Sequence, residues 1–258
     1  MKEKAVMLGA YGGRSKNRST TSLLLSESVV IDAGNLLAPL GRDAKKLDHI
    51  FLTHCHLDHI FDLPFLVESF FVERVSPINV YGVEHTIEKL KANIFNNTIW
   101  TDFSQVALLN SNESVLNLHI IEPNKTYIAD GIKISPFATT HIVPSVGYVV
   151  EKNGRKLMFT SDTYKCPAVW EILNSDHAIN TLIIETSFPT SMAQLAKASG
   201  HLTPGLLNEE IANLDRSNVN ICINHFKIEY MNILKLELSN LKYTKKARLL
   251  DDGTEILF

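Results

Sequence analysis

The chain has 258 residues, of which 45% are hydrophobic, and a formal net charge of −3. This length and composition suffice for a full hydrophobic core, and we expect one domain spanning residues 1–258. The slightly negative charge provides no basic field for gripping a long nucleic acid, so a small anionic substrate fits better.

The cysteine content and the first residues bear on the compartment. Three cysteines, an odd number without paired spacing, argue against a disulfide framework. Glu3, Arg14, Lys16 and Arg18 interrupt any apolar run near the start, so neither a signal peptide nor a membrane span is predicted there. We therefore expect a cytoplasmic protein without a membrane partner.

The first part of the chain is predicted to be mainly strands. Apolar runs predict strands over residues 5–8, 19–25 and 28–31. Gly12 and Gly13 are interpreted as turn residues rather than a phosphate cradle, because no lysine follows in P-loop fashion. Asp32 ends the third strand, where it either orients a ligand histidine or caps a turn.

The most informative stretch is HIFLTHCHLDHIFD, residues 49–62. It predicts a strand over 50–53, a loop, and a helix over 58–71. His54 and His56 lie two apart in an extended segment, so both imidazoles point to the same side. Asp58 and His59 follow where the helix begins and face another direction. This set of nitrogen and oxygen ligands suits zinc, and it leaves room for a second cation nearby.

The rest of the chain alternates between strands and helices. Strands are predicted over 78–81, 132–140, 146–151, 155–160, 181–184 and 219–223, and helices over 84–95, 166–173, from about 204, and over 227–241. Asn153 and Gly154 predict a hairpin turn, and residues 247–258 a second hairpin. Trp100 and Phe103 have three interpretations, base stacking, a subunit contact or packing on the core, of which core packing is favoured.

Three predicted strands end in a candidate ligand, namely His141, Asp162 and His225. Taken alone, a His or Asp at such a position is usually structural. Their placement after a His-x-His-x-Asp-His motif favours a metal site instead. Two sheets covered by helices would provide the natural core.

These residues resemble, in order and in strand-end context, the ligands of metallo-β-lactamase-superfamily hydrolases. The resemblance implies an α/β (α+β) fold, the αβ/βα four-layer sandwich, with two divalent metal ions at one edge of the sheets. Zinc is the expected metal, with manganese, iron and magnesium as alternatives. The implied ligands are His54, His56 and His141 for one ion, Asp58, His59 and His225 for the other, and Asp162 as the bridge.

Three segments narrow the resemblance to the class II cyclic-nucleotide phosphodiesterases: THCHLDH, ETSFP at 185–189 and SGHLTP at 199–204. That family hydrolyses cyclic AMP, and in some members cyclic GMP, with divalent metal. The expected product is the 5′-monophosphate, formed by a hydroxide that the metal pair activates. Asp62 replaces a small residue of the family pattern, a difference that we expect to affect substrate preference rather than metal binding.

The same resemblance implies roles around the metals. His201 matches a phosphate-proximal histidine and is the expected proton donor to the leaving group, with Asp58 and Asp162 completing the catalytic set. Glu185 either braces His201 or is a surface carboxylate. Ser187 and Thr203 are predicted substrate contacts, although Thr203 has the simpler role of N-cap.

Two other functions are weighed. A tRNA 3′-processing endonuclease of the ribonuclease Z kind would use the same site, but those enzymes carry a basic Gly- and Pro-rich arm that this sequence lacks. A noncatalytic metal-binding module is disfavoured because the ligand set is complete. The choice between cyclic AMP, cyclic GMP and a cyclic dinucleotide stays open, as does a homodimer.

Overall fold

The computed structural model describes residues 3–258, which form two seven-stranded sheets. The strands are β1 (Lys4–Gly9), β2 (Ser22–Leu24), β3 (Val29–Ile31), β4 (His49–Phe51), β5 (Ile78–Gly82), β6 (Leu116–Ile120), β7 (Tyr127–Ala129), β8 (Ile132–Ala138), β9 (Val146–Lys152), β10 (Arg155–Phe159), β11 (Ile179–Glu185), β12 (Asn220–Asn224), β13 (Arg248–Leu249) and β14 (Thr254–Leu257). The helices are α1 (Leu37–Leu40), α2 (Leu57–Ile60), α3 (Leu63–Phe70), α4 (Glu84–Asn93), α5 (Pro167–Ser175), α6 (Ala193–Ser199), α7 (Pro204–Ile211) and α8 (Met231–Asn240).

The two sheets have matching topologies. The first has the order β14-β1-β2-β3-β4-β5-β6, antiparallel as far as β3 and parallel from β3 to β6. The second has the order β13-β12-β11-β10-β9-β8-β7, parallel from β13 to β10 and antiparallel from there to β7. The carboxyl ends of parallel strands lie at one edge of a sheet, where ligand sites usually form.

Buried residues on both faces of the strands account for the layers. In β3, Val29 and Ile31 lie in the core between the sheets, whereas Val30 packs with the helices outside the first sheet. Helices α3 and α4 cover that outer face, and α5, α7 and α8 cover the second sheet. The predicted four-layer sandwich is therefore confirmed.

The predicted helix over 58–71 is in fact two helices, α2 and α3, separated by Phe61 and Asp62. The backbone N–H of Asp62 donates to the carbonyl of Ala33 at 2.8 Å, outside any helix. Pro64 follows at the start of α3 and has no N–H to continue the helical ladder. A loop contact and a proline thus divide one apolar stretch into two elements.

The predicted hairpin over 247–258 is wrong. Its first arm, β13, pairs in parallel with β12 of the second sheet, and its second arm, β14, pairs antiparallel with β1 of the first. Both arms have the alternation expected of strands, but each finds a longer partner in a different sheet. The tail therefore links the two sheets.

Core packing is confirmed for the two aromatic residues that had three interpretations. Phe103 is buried, with its ring 5.3 Å from that of Phe71, and Trp100 meets Phe65 edge-on at 4.9 Å. Among residues 3–258, no helix combines the length and the apolar character needed to cross a bilayer.

The hairpin turn between β9 and β10 provides a test of backbone conformation alone. Asn153 and Gly154 have φ values of 48° and 75°, and a Cβ on Gly154 would meet no atom within 4 Å. We expect Gly154→Ala to lower the free energy of unfolding by about 1 kcal/mol, measured by urea denaturation, because only the left-handed backbone resists the methyl group.

Gly13→Ala is the matched control, since Gly13 lacks a positive φ and its added methyl would make an ordinary 3.7 Å contact with Ile228. Its stability should be unchanged or slightly higher. Equal losses in the two variants would contradict the conformational explanation.

Candidate metal centre

Imidazole and carboxylate side chains converge where the strands of both sheets end. The first sheet supplies residues directly after β4, and the second supplies residues after β8, β10 and β12. All the predicted ligands lie in this cluster, and they fall into two groups. Within each group, the ligand atoms all lie within 4.8 Å of one another. The groups are His54, His56, His141 and Asp162, and Asp58, His59 and His225.

The first group forms as the extended segment after β4 predicts. The rings of His54 and His56 lie 4.5 Å apart, whereas Leu57 points to solvent with 62% of its surface exposed. His141 approaches from the other sheet, with its Nε2 3.2 Å from His56 Nδ1. Three imidazole nitrogens from two sheets therefore share one small volume.

The second group combines the first turn of α2 with the end of β12. Asp58 Oδ2 lies 3.4 Å from His225 Nε2 and 3.9 Å from His59 Nε2. Asp162 joins the groups, because its Oδ1 lies 3.1 Å from His225 Nε2 and its Oδ2 lies 3.8 Å from His54 Nε2. This central position is the one expected of a bridging carboxylate.

Two buried atoms at this junction lack hydrogen bonds. His54 Nε2 and Asp162 Oδ1 are inaccessible to solvent and have no hydrogen-bond partner in the described part of the chain, although imidazole nitrogens lie close to the carboxylate oxygen. Buried polar atoms normally have partners, and leaving one without costs about 1–3 kcal/mol. A metal site requires nitrogen and oxygen atoms that face each other without forming hydrogen bonds. These residues therefore fit two metal ions.

The pKa values describe the same cluster. Burial, followed by the neighbouring His59, holds the pKa of His54 well below its ordinary value, and burial lowers that of His56 to about 4. Burial alone would also lower the pKa of His59, but the carboxylates of Asp162 and two other aspartates raise it well above the ordinary range. Negative charge that favours a proton on His59 equally favours a cation in its place.

Asp32 orients His59 from behind. Its Oδ2 accepts from His59 Nδ1 at 2.8 Å, and the N–H and hydroxyl of Thr53 donate to the same carboxylate. This carboxylate is fully buried, and the contact leaves His59 Nε2 to face the cluster. Of the two interpretations of Asp32, the orientation of a ligand histidine is confirmed.

Gly200 does the same for His141. Its carbonyl accepts from His141 Nδ1 at 3.0 Å, which directs Nε2 into the cluster. Gly200 ends α6 with φ at 73°, and a Cβ there would lie 2.7 Å from His141 Nδ1. Glycine is therefore required both for the helix end and for the close approach.

Glu185 braces His201, as one of the two predictions for it states. It is fully buried, and its Oε1 accepts from His201 Nδ1 at 2.7 Å and from the Thr163 N–H at 3.1 Å. Burial alone would lower the pKa of His201, but the Glu185 carboxylate outweighs it and raises that pKa above its ordinary value. The same contact directs the other nitrogen of His201 toward the cluster, with its ring 5.1 Å from that of His141.

Ser187 and Thr203, the predicted substrate contacts, are both fully buried, and their hydroxyls bond to neighbouring residues. Thr203 caps α7, its hydroxyl accepting from the Leu206 N–H at 3.3 Å. Ser187 lies behind His225, with its Oγ 3.0 Å from both His225 Nδ1 and Glu185 Oε2. Ser187 therefore connects a predicted ligand to the carboxylate that braces His201.

Asp62 has a structural role, and its expected effect on substrate preference stays a prediction. It is buried, and its Oδ2 accepts from the N–H groups of Leu36 and Leu37 at 2.6 and 2.9 Å, at the start of α1. Its carboxylate is thereby committed to the loop beneath the motif. No local pattern indicates this role, because Asp62 precedes α3 but its side chain accepts no hydrogen bond from that helix.

Comparison with known proteins identifies the family. The model of the β-lactamase superfamily domain matches residues 28–221, so the chain belongs to that superfamily and has the hydrolase fold of its metallo-enzymes. Ribonuclease Z of Treponema pallidum is 27% identical over 186 residues, which cover 67% of this chain and 57% of that relative. This chain therefore spans just over half of the relative's length.

Two further proteins are similar. The 3′,5′-cyclic-nucleotide phosphodiesterase of Schizosaccharomyces pombe is 26% identical over 98 residues, covering 38% of this chain and 26% of that protein. The crystal structure of unliganded yeast PDE1 superposes with a TM-score of 0.79 at 17% identity, covering 100% of both chains. At that identity the superposition establishes the fold. The two curated relatives are thus named as a nuclease and as a phosphodiesterase.

We expect Asp32→Asn to weaken zinc binding by about 10- to 100-fold, because the amide holds His59 less firmly than the carboxylate does. The measurement is competition with a chromophoric chelator. Glu210→Gln is the control, since Glu210 is another buried carboxylate that accepts one hydrogen bond, from Trp170 Nε1 at 2.9 Å. Equal zinc affinity in the two variants would contradict the role of Asp32.

Zinc should also stabilise the fold. At a free concentration 100 times the dissociation constant, the free energy of unfolding of the metal-free protein should rise by about 2.7 kcal/mol, seen as a higher melting temperature. His54→Ala should abolish most of this rise, whereas His177→Ala, at an exposed position outside the cluster, should retain it. A melting temperature that zinc does not change would contradict the metal site.

Proposed function

We propose that this protein is a metal-dependent phosphodiesterase that hydrolyses 3′,5′-cyclic nucleotides, cyclic AMP first, to the 5′-monophosphate. The observation that carries the proposal is the His201–Glu185 pair beside the ligand cluster. A protonated histidine next to a pair of cations is suited to a reaction in which an alkoxide leaves from phosphorus.

The ligand cluster would hold the two cations. His54, His56 and His141 would bind one, Asp58, His59 and His225 the other, and Asp162 both. When bound, divalent metal ions supply a water of lowered pKa and neutralise charge on a phosphoryl group. Zinc is the proposed metal, because a set dominated by imidazoles with two carboxylates matches its preference.

His201 would donate a proton to the leaving 3′-oxygen. Its Nδ1–H is held by Glu185, so Nε2–H is the donor left for the substrate. The ring lies 5.3 Å from that of His225 and 5.1 Å from that of His141, so a phosphate held by the cluster would lie next to it. The buried Glu185 raises the pKa of the imidazole and fixes its orientation, both of which suit a proton donor.

The connections between elements support a small substrate. The longest one lies between α4 and β6, residues 94–115, and contains no lysine or arginine. It packs on the core through Phe95, Phe103 and Leu108 instead of projecting from it. A long RNA would need basic surface for its phosphates, which this segment does not supply.

A tRNA 3′-processing endonuclease is the second candidate. The similarity to ribonuclease Z of Treponema pallidum extends over 67% of this chain, against 38% for the Schizosaccharomyces pombe phosphodiesterase. The same cations and the same histidine would serve both reactions, so the two candidates differ in what binds the rest of the substrate. A noncatalytic metal-binding module is disfavoured, because it would not need His201 held by a buried carboxylate.

The test is a panel of cyclic AMP, cyclic GMP, a cyclic dinucleotide and a precursor tRNA with zinc-loaded protein. We expect turnover of cyclic AMP, and a decrease in kcat of about 10²- to 10⁴-fold in His201→Ala, the range for loss of a general acid. His177→Ala should match the parent. Cleavage of the tRNA alone would favour the second candidate, and parental turnover by His201→Ala would remove the assigned role of that residue.

A further inference from the structure

Lys227 follows the predicted ligand His225 by two residues and is half-buried. Its Nζ donates to the carbonyl of Gly12 at 2.8 Å, and its backbone N–H donates to the carbonyl of Ser187 at 3.3 Å. Both ends of the residue are therefore held in place, and the ammonium does not extend freely into solvent as most surface lysines do.

Gly12 provides the space that brings this ammonium to the site. A Cβ on Gly12 would lie 2.8 Å from Lys227 Nζ and 2.6 Å from His225 Cε1. Its φ is not positive, so glycine is needed here for space rather than for backbone conformation. The ammonium of Lys227 and the imidazole of His225 consequently face the same small volume.

The charge of Lys227 is not matched by a carboxylate. Within residues 3–258, no aspartate or glutamate forms an ion pair with it. An ammonium has three donors, and the structure assigns one of them to Gly12. Arg14, on the loop of Gly12, differs in this respect. Its guanidinium stacks on Phe61 and lies 3.8 Å from the carboxylate of Asp62.

The ammonium also acts on the proposed proton donor. The pKa of His201, which burial lowers and Glu185 raises, is lowered further by the positive charge of Lys227. A half-buried ammonium beside a ligand of a cation-binding cluster is unfavourable unless an anion shares the space.

We infer that Lys227 binds the phosphoryl group of the substrate, donating from Nζ to a non-bridging oxygen on the side formed by His225 and His201. This inference rests on the proposed phosphodiesterase function and deepens it. Lys227 stays protonated throughout and acts as a fixed positive charge for the phosphate, which a lysine supplies as a point charge. The anion that it contacts is common to a cyclic nucleotide and to any other phosphodiester.

The test compares Lys227→Met with Lys227→Arg, Lys227→Gln and the control Lys91→Met, an exposed lysine on α4. Binding of inorganic phosphate to the zinc-loaded proteins is measured by calorimetry, together with kcat and KM for the best phosphodiester. We expect Lys227→Met to weaken phosphate binding and to lower kcat/KM by about 10- to 100-fold, the range of a charge-assisted hydrogen bond. Lys227→Arg should recover part of both losses, and Lys91→Met should match the parent.

Zinc content and melting temperature separate this role from a structural one, and both should equal those of the parent in Lys227→Met. Phosphate binding within twofold of the Lys91→Met value would overturn the inference. Loss of zinc, or failure of both the Met and Gln variants to fold, would likewise overturn it by identifying Lys227 as structural. Phosphate binding is measured without turnover. A parent protein that hydrolyses no cyclic nucleotide would therefore refute the proposed function, and calorimetry would still decide whether Lys227 binds phosphate.

Discussion

The burial of imidazoles and carboxylates in one small volume is the constraint on which the rest of this structure depends. Asp162 lies at its centre, and neither its Oδ1 nor His54 Nε2 has a hydrogen-bond partner in the part of the chain described. Such a cluster costs free energy unless cations occupy it, since each buried nitrogen or oxygen would otherwise lose its hydrogen bonds to water without compensation. Because the ligands come from both sheets, cations that bind them also join the two halves of the fold, so folding and metal binding are linked.

The residues behind the ligands are arranged for the same purpose. Asp32 fixes His59, the Gly200 carbonyl fixes His141, and Ser187 contacts His225, in each case at Nδ1, which leaves Nε2 for the cluster. Three chemically different groups thus impose one tautomer on three histidines. Each of these groups accepts one N–H from its histidine, and the Asp32 carboxylate does so with a full negative charge.

Much of this could be predicted from the sequence, and the parts that could not share a physical cause. His54, His56, Asp58 and His59 are adjacent in the chain, so periodicity alone shows which way each points. His141, Asp162 and His225 needed the family resemblance, because no local pattern brings separate strand ends together. The contacts that Ser187 and Thr203 make with neighbouring residues could not be predicted, because they depend on burial, which tertiary packing sets. The hairpin prediction for residues 247–258 was wrong for a related reason. Strand alternation predicts a strand but not its partner, and β13 and β14 pair in different sheets.

The contacts of Glu185 bear on how the proton donor and the cation site influence each other. One oxygen of this buried carboxylate accepts from His201, and the other accepts from Ser187, whose Oγ lies 3.0 Å from Nδ1 of His225. A predicted metal ligand and the proposed general acid therefore share one negative charge. Charge withdrawn from His225 by a cation would be felt at Glu185 and then at His201, where a weaker carboxylate acceptor makes the imidazolium a stronger acid. The Glu185–Ser187 connection would in this way let charge at the cation site influence His201.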